Sequence, residues 1–456
     1  MNKVQHRIFK AFYFLITSFV LVAPALYNRY PLMYFDSGAY MEMALNFEPS
    51  FHRALGYPLL IRLTGLLVTN WPLIIIQGLV LSILIYKIIQ PIVAKSKLNW
   101  IHFASVVILS FSSAISWYAA QLMPDIWTLI LVLAVAGLII NRGLSSSWLW
   151  FYGILQFFAL LTHLSHIPLM FLLLISIGAL WLISNKQLFR ISKKYWIALI
   201  TPFLLAAITV PSFNSSFGYG FRFSLASNAF ITANLGEMGV LKMYLDENCD
   251  QLNSGLCDIK DELPLETSGY LWDSDSPVQT HPEGWAGANE EYAVIVKDFM
   301  SKPRYMKWFV FSAIKATVKQ MFQIEIGSGL QYAYGEGSSP YWPMKSHFKQ
   351  ELNEYLVSVQ NKGDKLPLDF FRIVNYLSLV LSILIIGWAV LQRKLSTELA
   401  ALLVLFLLAY ILNASITGVL ANVYERLQVR LLPLIQFFAI LVFIKLVRPK
   451  ISATER

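Results

Sequence analysis

A chain of 456 residues that is 57% hydrophobic and only 14% charged cannot cover a water-exposed globule with polar side chains. Its mean hydropathy of +0.56 fits an all-α polytopic membrane protein instead. The formal net charge of +9 follows from basic residues clustered between apolar runs, so membrane orientation accounts for it and no nucleic-acid partner is expected.

The first apolar run, 11–27, follows Lys3, Arg7 and Lys10. It is long for a cleaved signal and lacks a small-residue cleavage site, so a retained anchor is expected. Further spans are expected at 71–94, 101–120, 126–141, 147–163, 167–184, 195–211, 371–391, 397–413 and 431–447. Ten spans, an even number, place both termini on one side. Lys95 and Lys97, Arg142, Lys186, Arg190, Lys193 and Lys194, Arg393 and Lys394, and Arg448 and Lys450 all fall on that side with the amino-terminal cluster. The excess of Lys and Arg makes that side cytoplasmic. Residues 57–70, with Pro58 and Arg62, read as an interfacial helix or a re-entrant approach to the second crossing.

Three regions result: an amino-terminal transmembrane module, 1–211, with a first outer loop at 28–70; an extracytoplasmic region, 212–370; and a carboxy-terminal transmembrane module, 371–456. The middle region carries Pro264, Pro277, Pro282, Pro303 and Pro340 and most of the acidic residues. Within it, Lys307, Lys315 and Lys319 interrupt an aromatic and aliphatic face over 304–322, the pattern of an amphipathic helix lying in the membrane surface. A crossing there would need a partner at 322–340, which is poor in apolar residues. Cys249 and Cys257 are the only cysteines. An outer compartment favours a disulfide clip around Asn253-Ser254-Gly255 over two free thiols, and the pair alone offers too few ligands for a metal.

Polar groups converge on the outer face. Asp36 and Glu42 lie in Tyr34-Phe35-Asp36-Ser37-Gly38-Ala39-Tyr40-Met41-Glu42, just after the first span. A carboxylate fixed there can act as a base toward a lipid-linked substrate, or be one of the carboxylates any polar loop contains. Asp125 follows Pro124, where it can cap the next helix or face the same cavity. His163 and His166 would share a face if their helix continues, as phosphate contacts or as satisfied turn histidines. His52 and Arg53 offer a basic contact near Asp36. Glu425, Arg426 and Arg430 lead into the last span; the two arginines, four apart, suit phosphate recognition or simple snorkelling. Carboxylates, imidazoles and guanidiniums at one membrane face suit group transfer from a phosphate-linked lipid. In that reading the phosphate lies against Arg430 or Arg426, and Asp36 deprotonates the acceptor hydroxyl.

This pattern resembles the GT-C membrane glycosyltransferases, among them the dolichyl- or polyprenyl-phosphate-sugar-dependent mannosyltransferases and the aminoarabinose transferases of lipid A. Their first outer loop carries an essential acidic residue, which Asp36 matches. Arg53-Ala54-Leu55-Gly56-Tyr57-Pro58 is similar to their Gly-Tyr-Pro element, which adds Tyr57 to the candidate substrate contacts. Met123-Pro124-Asp125 resembles the element before their fourth span, and Arg430-Leu431-Leu432-Pro433 their late Arg-Tyr-Leu-Leu-Pro-like stretch. The likeness covers mainly 1–185 and 415–447. It departs in the first loop, where Glu42 stands in place of an adjacent acidic partner, and at Leu431, where an aromatic residue is usual.

The resemblance implies about 10–12 membrane helices, two outer interfacial helices, and sugar transfer from a polyprenyl-phosphate-linked donor to a lipid, glycan or protein. No cofactor is expected, since the lipid-linked sugar is a substrate; divalent-metal dependence is left open. A bacterial inner membrane is the expected location. A lipid-linked glycan polymerase or ligase, or a transporter or flippase of lipid-linked or polar solutes, are the alternatives. The latter would place ionisable groups at mid-membrane in broken, repeated helices, whereas the strong polar groups here lie at span ends.

Overall fold

The computed structural model describes residues 3–363 and 366–446; Arg448, Lys450 and the end of the last expected span lie outside them. The described chain is all-α, and its only β pairing is an isolated parallel bridge between Leu32 and Gln121.

Every expected span is helical, but they differ in reach. Among the described residues, six helices are long and apolar enough to cross a membrane: Trp71–Ile89, His166–Ile183, Lys193–Ser216, Leu368–Leu391, Thr397–Leu420 and Glu425–Leu446. Leu98–Ser112 and Ile126–Ile140 have 15 residues each, a rise of about 22 Å against roughly 30 Å of hydrocarbon. Leu98–Ser112 is prolonged by a second short helix, Ile115–Ala119. Ser146–Thr162 is also short, and Lys3–Leu21 carries the basic amino-terminal residues before breaking into Ala23–Asn28.

Apolarity decides position in the bundle. Ile126–Ile140 is apolar all round and is buried at every position but Ile139. It sits between Trp71–Ile89, Ser146–Thr162 and Thr397–Leu420. Leu368–Leu391 and Lys193–Ser216 instead turn large apolar side chains outward, among them Leu377, Leu381, Leu384, Leu204 and Ile208, as lipid-facing helices do. Buried amides join helices across the apolar interior: Gln436 donates to the Ser112 carbonyl at 2.8 Å and to Asn375 Oδ1 at 3.0 Å.

The alternating arrangement is visible in which loops meet. At one end Arg142 pairs with Glu398 at 3.1 Å, the Gly143 amide donates to the Tyr195 hydroxyl, and Asn141 donates to the Lys87 carbonyl. At the other end, the segment around Leu32 exchanges backbone bonds with Ala120 and Leu122, and Met33 exchanges two with the Gln360 side chain. Two short helices, Phe35–Asn46 and Gly56–Gly65, lie at this second end.

The long middle region divides between two cores. Residues from Ala229 to Tyr305 close their own core around Tyr244, Tyr270, Tyr292 and Phe299, held also by a Cys249–Cys257 disulfide with a Cα separation of 5.7 Å. From Ile326 to Leu366 the chain packs instead on the membrane bundle. Between them, Pro303–Met321 packs along Thr397–Leu420, one of the helices of membrane-spanning length. It runs antiparallel to Thr397–Leu420: Ala316 approaches Gly418, and the Tyr410 hydroxyl donates to the Met321 carbonyl at 2.6 Å. Gly418 permits that approach, because a Cβ there would stand 3.1 Å from the Ala316 carbonyl oxygen. The two contacts, at Ala316 and Met321, lie five residues apart on this helix, a rise of roughly 7.5 Å. Its outward stripe still carries Lys307, Trp308, Phe311, Ile314, Lys315, Val318 and Lys319.

Candidate functional site

The parallel bridge organises the site. Asp36 lies four residues beyond Leu32, and Asp125 four beyond Gln121, so one backbone pairing brings two distant acidic residues to the same place. Gln77 steadies that pairing from below, donating to the Ala119 and Gln121 carbonyls and accepting from the Trp127 indole.

Three arginines reach the two carboxylates. Arg53 Nη2 donates to Asp36 Oδ1 at 2.5 Å, and Arg426 Nη1 to Asp36 Oδ2 at 3.0 Å. Arg426 Nε stands 4.0 Å from Asp125 Oδ2, and Arg430 Nη1 donates to Asp125 Oδ1 at 3.3 Å. The result is an alternating chain, Arg53–Asp36–Arg426–Asp125–Arg430, with three cations against two anions and hence one surplus positive charge.

The chain has a wet end and a dry end. Side-chain exposure is 11% for Arg53, 16% for Asp36 and 13% for Arg426, but 2% for Asp125 and 0% for Arg430. Burial pushes the Asp36 carboxyl up, yet Arg53 and then Arg426 outweigh it and hold the group below its usual range. Burial and the neighbouring Arg53 lower His52 to about 4, so its ring is neutral at physiological pH.

Arg426 is fixed from several sides. Its guanidinium lies 4.2 Å from the Tyr34 ring centroid, and its carbonyl accepts from the Tyr118 hydroxyl at 3.0 Å. The preceding Tyr424 is clamped by Gln320: the Tyr424 amide donates to Gln320 Oε1 at 2.8 Å, and Gln320 Nε2 donates to the Tyr424 carbonyl at 3.0 Å. Tyr424 and Tyr34 share a hydroxyl contact of 3.0 Å. Asn413 donates to the Leu427 carbonyl and accepts from Arg430 Nη2, each bond 3.0 Å or less. The loop that follows Met321 closes over Tyr34 at Gly329, where φ is +80° and a Cβ would overlap the tyrosine ring.

Several expectations change. Asp125 makes no side-chain bond to the helix it precedes; its oxygens go to the arginines, because an unpaired cation in that interior would cost more than an uncapped helix. Glu42 sits on the exposed face of its helix, six residues from Asp36, without an ion pair; the second carboxylate near Asp36 is Asp125. Tyr57 is wholly buried beneath Tyr40, with its hydroxyl on Gln77, and so lies behind the site. Glu425 makes no ion pair among the described residues and opens the short helix Glu425–Val429.

The helix does not continue through the two histidines. It ends at Thr162 and restarts at His166, and the rings stand 5.3 Å apart across the turn. His166 Nδ1 lies 2.7 Å from the Ala159 carbonyl, which only accepts, so Nδ1 donates and Nε2 accepts from Thr128. That makes His166 a structural residue. His163 Nδ1 contacts the Ser165 hydroxyl at 2.8 Å, and that oxygen accepts from Arg430 Nη2 at 3.2 Å.

Other contributors carried weak signals. Asn413 was readable as a lone amide in an apolar run. Trp272 and Trp285 approach His52 and Arg53 from the outer core, and nothing in their local sequence points there. Clefts of about 1070 and 490 Å³ in the middle region are lined by its own residues and not by Asp36. No group of three or more His, Cys, Asp or Glu among the described residues is arranged to hold a metal ion. No family model matches the chain, no curated protein matches it, and no solved structure matches it.

Proposed function

We propose that this protein is a membrane glycosyltransferase that moves a sugar from a polyprenyl-phosphate-linked donor to a lipid, glycan or protein acceptor at the extracytoplasmic face. The observation that carries this reading is the arginine–aspartate chain, with its surplus positive charge and its partly exposed Arg53–Asp36–Arg426 end at the tip of a helical membrane bundle. A phosphate at a low-dielectric boundary needs fixed cations, and guanidiniums supply paired donors for its oxygens.

In this mechanism Arg53 and Arg426 turn to the donor's phosphate. Losing those contacts raises the basicity of Asp36, which the two cations otherwise depress. The acceptor oxygen then bonds to the anomeric carbon, and its proton passes to Asp36. The bond from that carbon to the phosphate oxygen breaks, and the electron pair leaves on the polyprenyl phosphate. Asp125 and Arg430 hold Arg426 in place from the buried side. The donor's hydrocarbon lies among the outward apolar faces of the bundle.

The test is incubation of the purified protein with a panel of polyprenyl-phosphate-linked sugars and of lipid, glycan and peptide acceptors, followed by measurement of released polyprenyl phosphate. Release by the native protein and its loss in Asp36→Asn are expected. Absence of release across the panel, or equal release by the variant, overturns the proposal.

A further inference from the structure

We propose that Trp272 and Trp285, with His52, form a stacking platform for a carbohydrate ring beside Asp36; the reading of that ring as donor or acceptor rests on the transferase proposal above. The two indoles are 5.1 Å apart, and each approaches His52, at 5.1 Å for Trp272 and 5.5 Å for Trp285. Phe230 backs both, at 6.2 and 6.1 Å. Phe230 and Trp285 pack against the core of residues 229–305, whereas Trp272 remains 41% exposed.

The platform adjoins the charged chain through one side chain. The Arg53 guanidinium lies 5.8 Å from the Trp272 ring and 5.6 Å from the Tyr40 ring, while its Nη2 holds Asp36. A ring on Trp272 is thus one guanidinium away from the carboxylate. Two polar atoms beside the indoles, His52 Nδ1 and Arg53 Nε, are buried and have no hydrogen-bond partner, a costly state unless a polar ligand or water meets them.

This combination selects the ligand class. A pyranose presents an apolar face of C–H bonds and a rim of hydroxyls, so it needs an aromatic surface with donors and acceptors at its edge. A hydrocarbon tail has no use for the polar rim, and a bare phosphate has no use for the indoles. Carboxylates that can accept from further hydroxyls are close in sequence. The cleft of about 1070 Å³ in the middle region is lined by Asp273, next to Trp272, and by Glu283, two residues before Trp285, but not by the two indoles themselves.

The experiment uses the full chain in lipid nanodiscs. Methyl pyranosides of glucose, mannose, galactose and N-acetylglucosamine are screened by saturation-transfer NMR. Transfer to the C–H protons of at least one glycoside is expected, falling at least fivefold in Trp272→Ala and recovering in Trp272→Phe. Trp342→Ala, at an exposed tryptophan elsewhere, is expected to leave transfer unchanged. No transfer to any glycoside, or equal transfer in native and Trp272→Ala forms of matched unfolding midpoint, overturns the platform.

A second arm assigns the ring with polyprenyl-phosphate-linked sugars. With water as the only acceptor oxygen, a lower release of polyprenyl phosphate by Trp272→Ala identifies the donor's ring. A raised KM for an added glycoside, with the saturated rate retained, identifies the acceptor's. Glycoside transfer by a native protein that releases no polyprenyl phosphate keeps the platform and removes the transferase reading, so the two failures are distinguishable.

Discussion

Asp36 and Asp125 are joined through one guanidinium, Arg426, which donates to the first at 3.0 Å and stands 4.0 Å from the second. The two carboxylates have different surroundings. Asp36 keeps 16% of its side chain exposed and is flanked by partly exposed arginines, whereas Asp125 is closed in with the fully buried Arg430. A ligand can compete for the first pair without opening the interior. It cannot reach the second without unpacking the bundle. This asymmetry separates chemistry from support.

Asp36→Asn should lower polyprenyl-phosphate release by roughly 10²–10⁴, the range of a lost acid–base group, while the protein stays monodisperse in detergent. The pH dependence follows from the direction of the shift. A carboxyl held below its free value of about 3.9 adds stability that is fully present above that value and is lost as pH falls through the depressed folded one. The stability gap between native protein and Asp36→Asn should therefore be flat from neutral pH to about pH 4 and close below it. A gap that narrows between pH 7 and 5 would contradict the assignment of the two arginines to this carboxyl.

Arg426 and Arg430 should respond differently to mutation. Arg430→Met leaves Asp125 in a closed interior with only the more distant Arg426, and breaking such a buried pair typically costs about 3–5 kcal/mol. The loss should appear as a lowered unfolding midpoint, partly restored in the Asp125→Asn/Arg430→Met double variant. Arg426→Lys keeps the charge but gives up the guanidinium's fixed fork, and should weaken donor-lipid binding less than Arg426→Ala does. Donor binding that falls with position 430 and not with 426 would reverse this assignment.

How much of this was legible from the chain depends on the range of the signal. Apolar runs announced the helices, since each run carries its own evidence of burial or lipid contact. Asp36, Arg53, Asp125 and the two late arginines stood out because charges beside membrane spans are expensive. Their pairing was not legible. Which arginine meets Asp36 depends on a bridge between Leu32 and Gln121 and on a clamp from Gln320, contacts between segments far apart in sequence. The packing of Pro303–Met321 on Thr397–Leu420 was not legible for a related reason: the glycine that admits it, Gly418, lies on another helix.

The Cys249–Cys257 bond closes a short loop, with a sequence separation of eight. Chain-entropy arguments assign such a loop about 2–3 kcal/mol. Because the bond belongs to the separate core of the middle region and not to the bundle, a double Cys→Ser variant should lose protease resistance between residues 229 and 305 while its membrane helices keep theirs. Limited proteolysis mapped by mass spectrometry gives the answer. Equal sensitivity in both regions would mean that the two cores unfold as one unit.

The Gln320 clamp makes a sharper test of how the site is held. Gln320 is fully buried and satisfies both the amide and the carbonyl of Tyr424, two residues before Arg426. Gln320→Leu fills similar space but strands two backbone polar groups, at a cost of about 1–3 kcal/mol for each one left without a partner. The penalty falls on a segment with little regular structure of its own, since Asn422–Tyr424 is not helical and only the five-residue helix Glu425–Val429 follows. The expected result is local. Hydrogen exchange at the Tyr424 amide should speed up, and donor affinity should fall severalfold as Arg426 loses its fixed position, while the helices of the bundle exchange as before. Gln320→Glu retains an acceptor for the Tyr424 amide but no donor for its carbonyl, so it should lie between the two. Unchanged exchange at Tyr424 in Gln320→Leu would show that Tyr34, Ser328 and Asn413 hold the segment without the clamp.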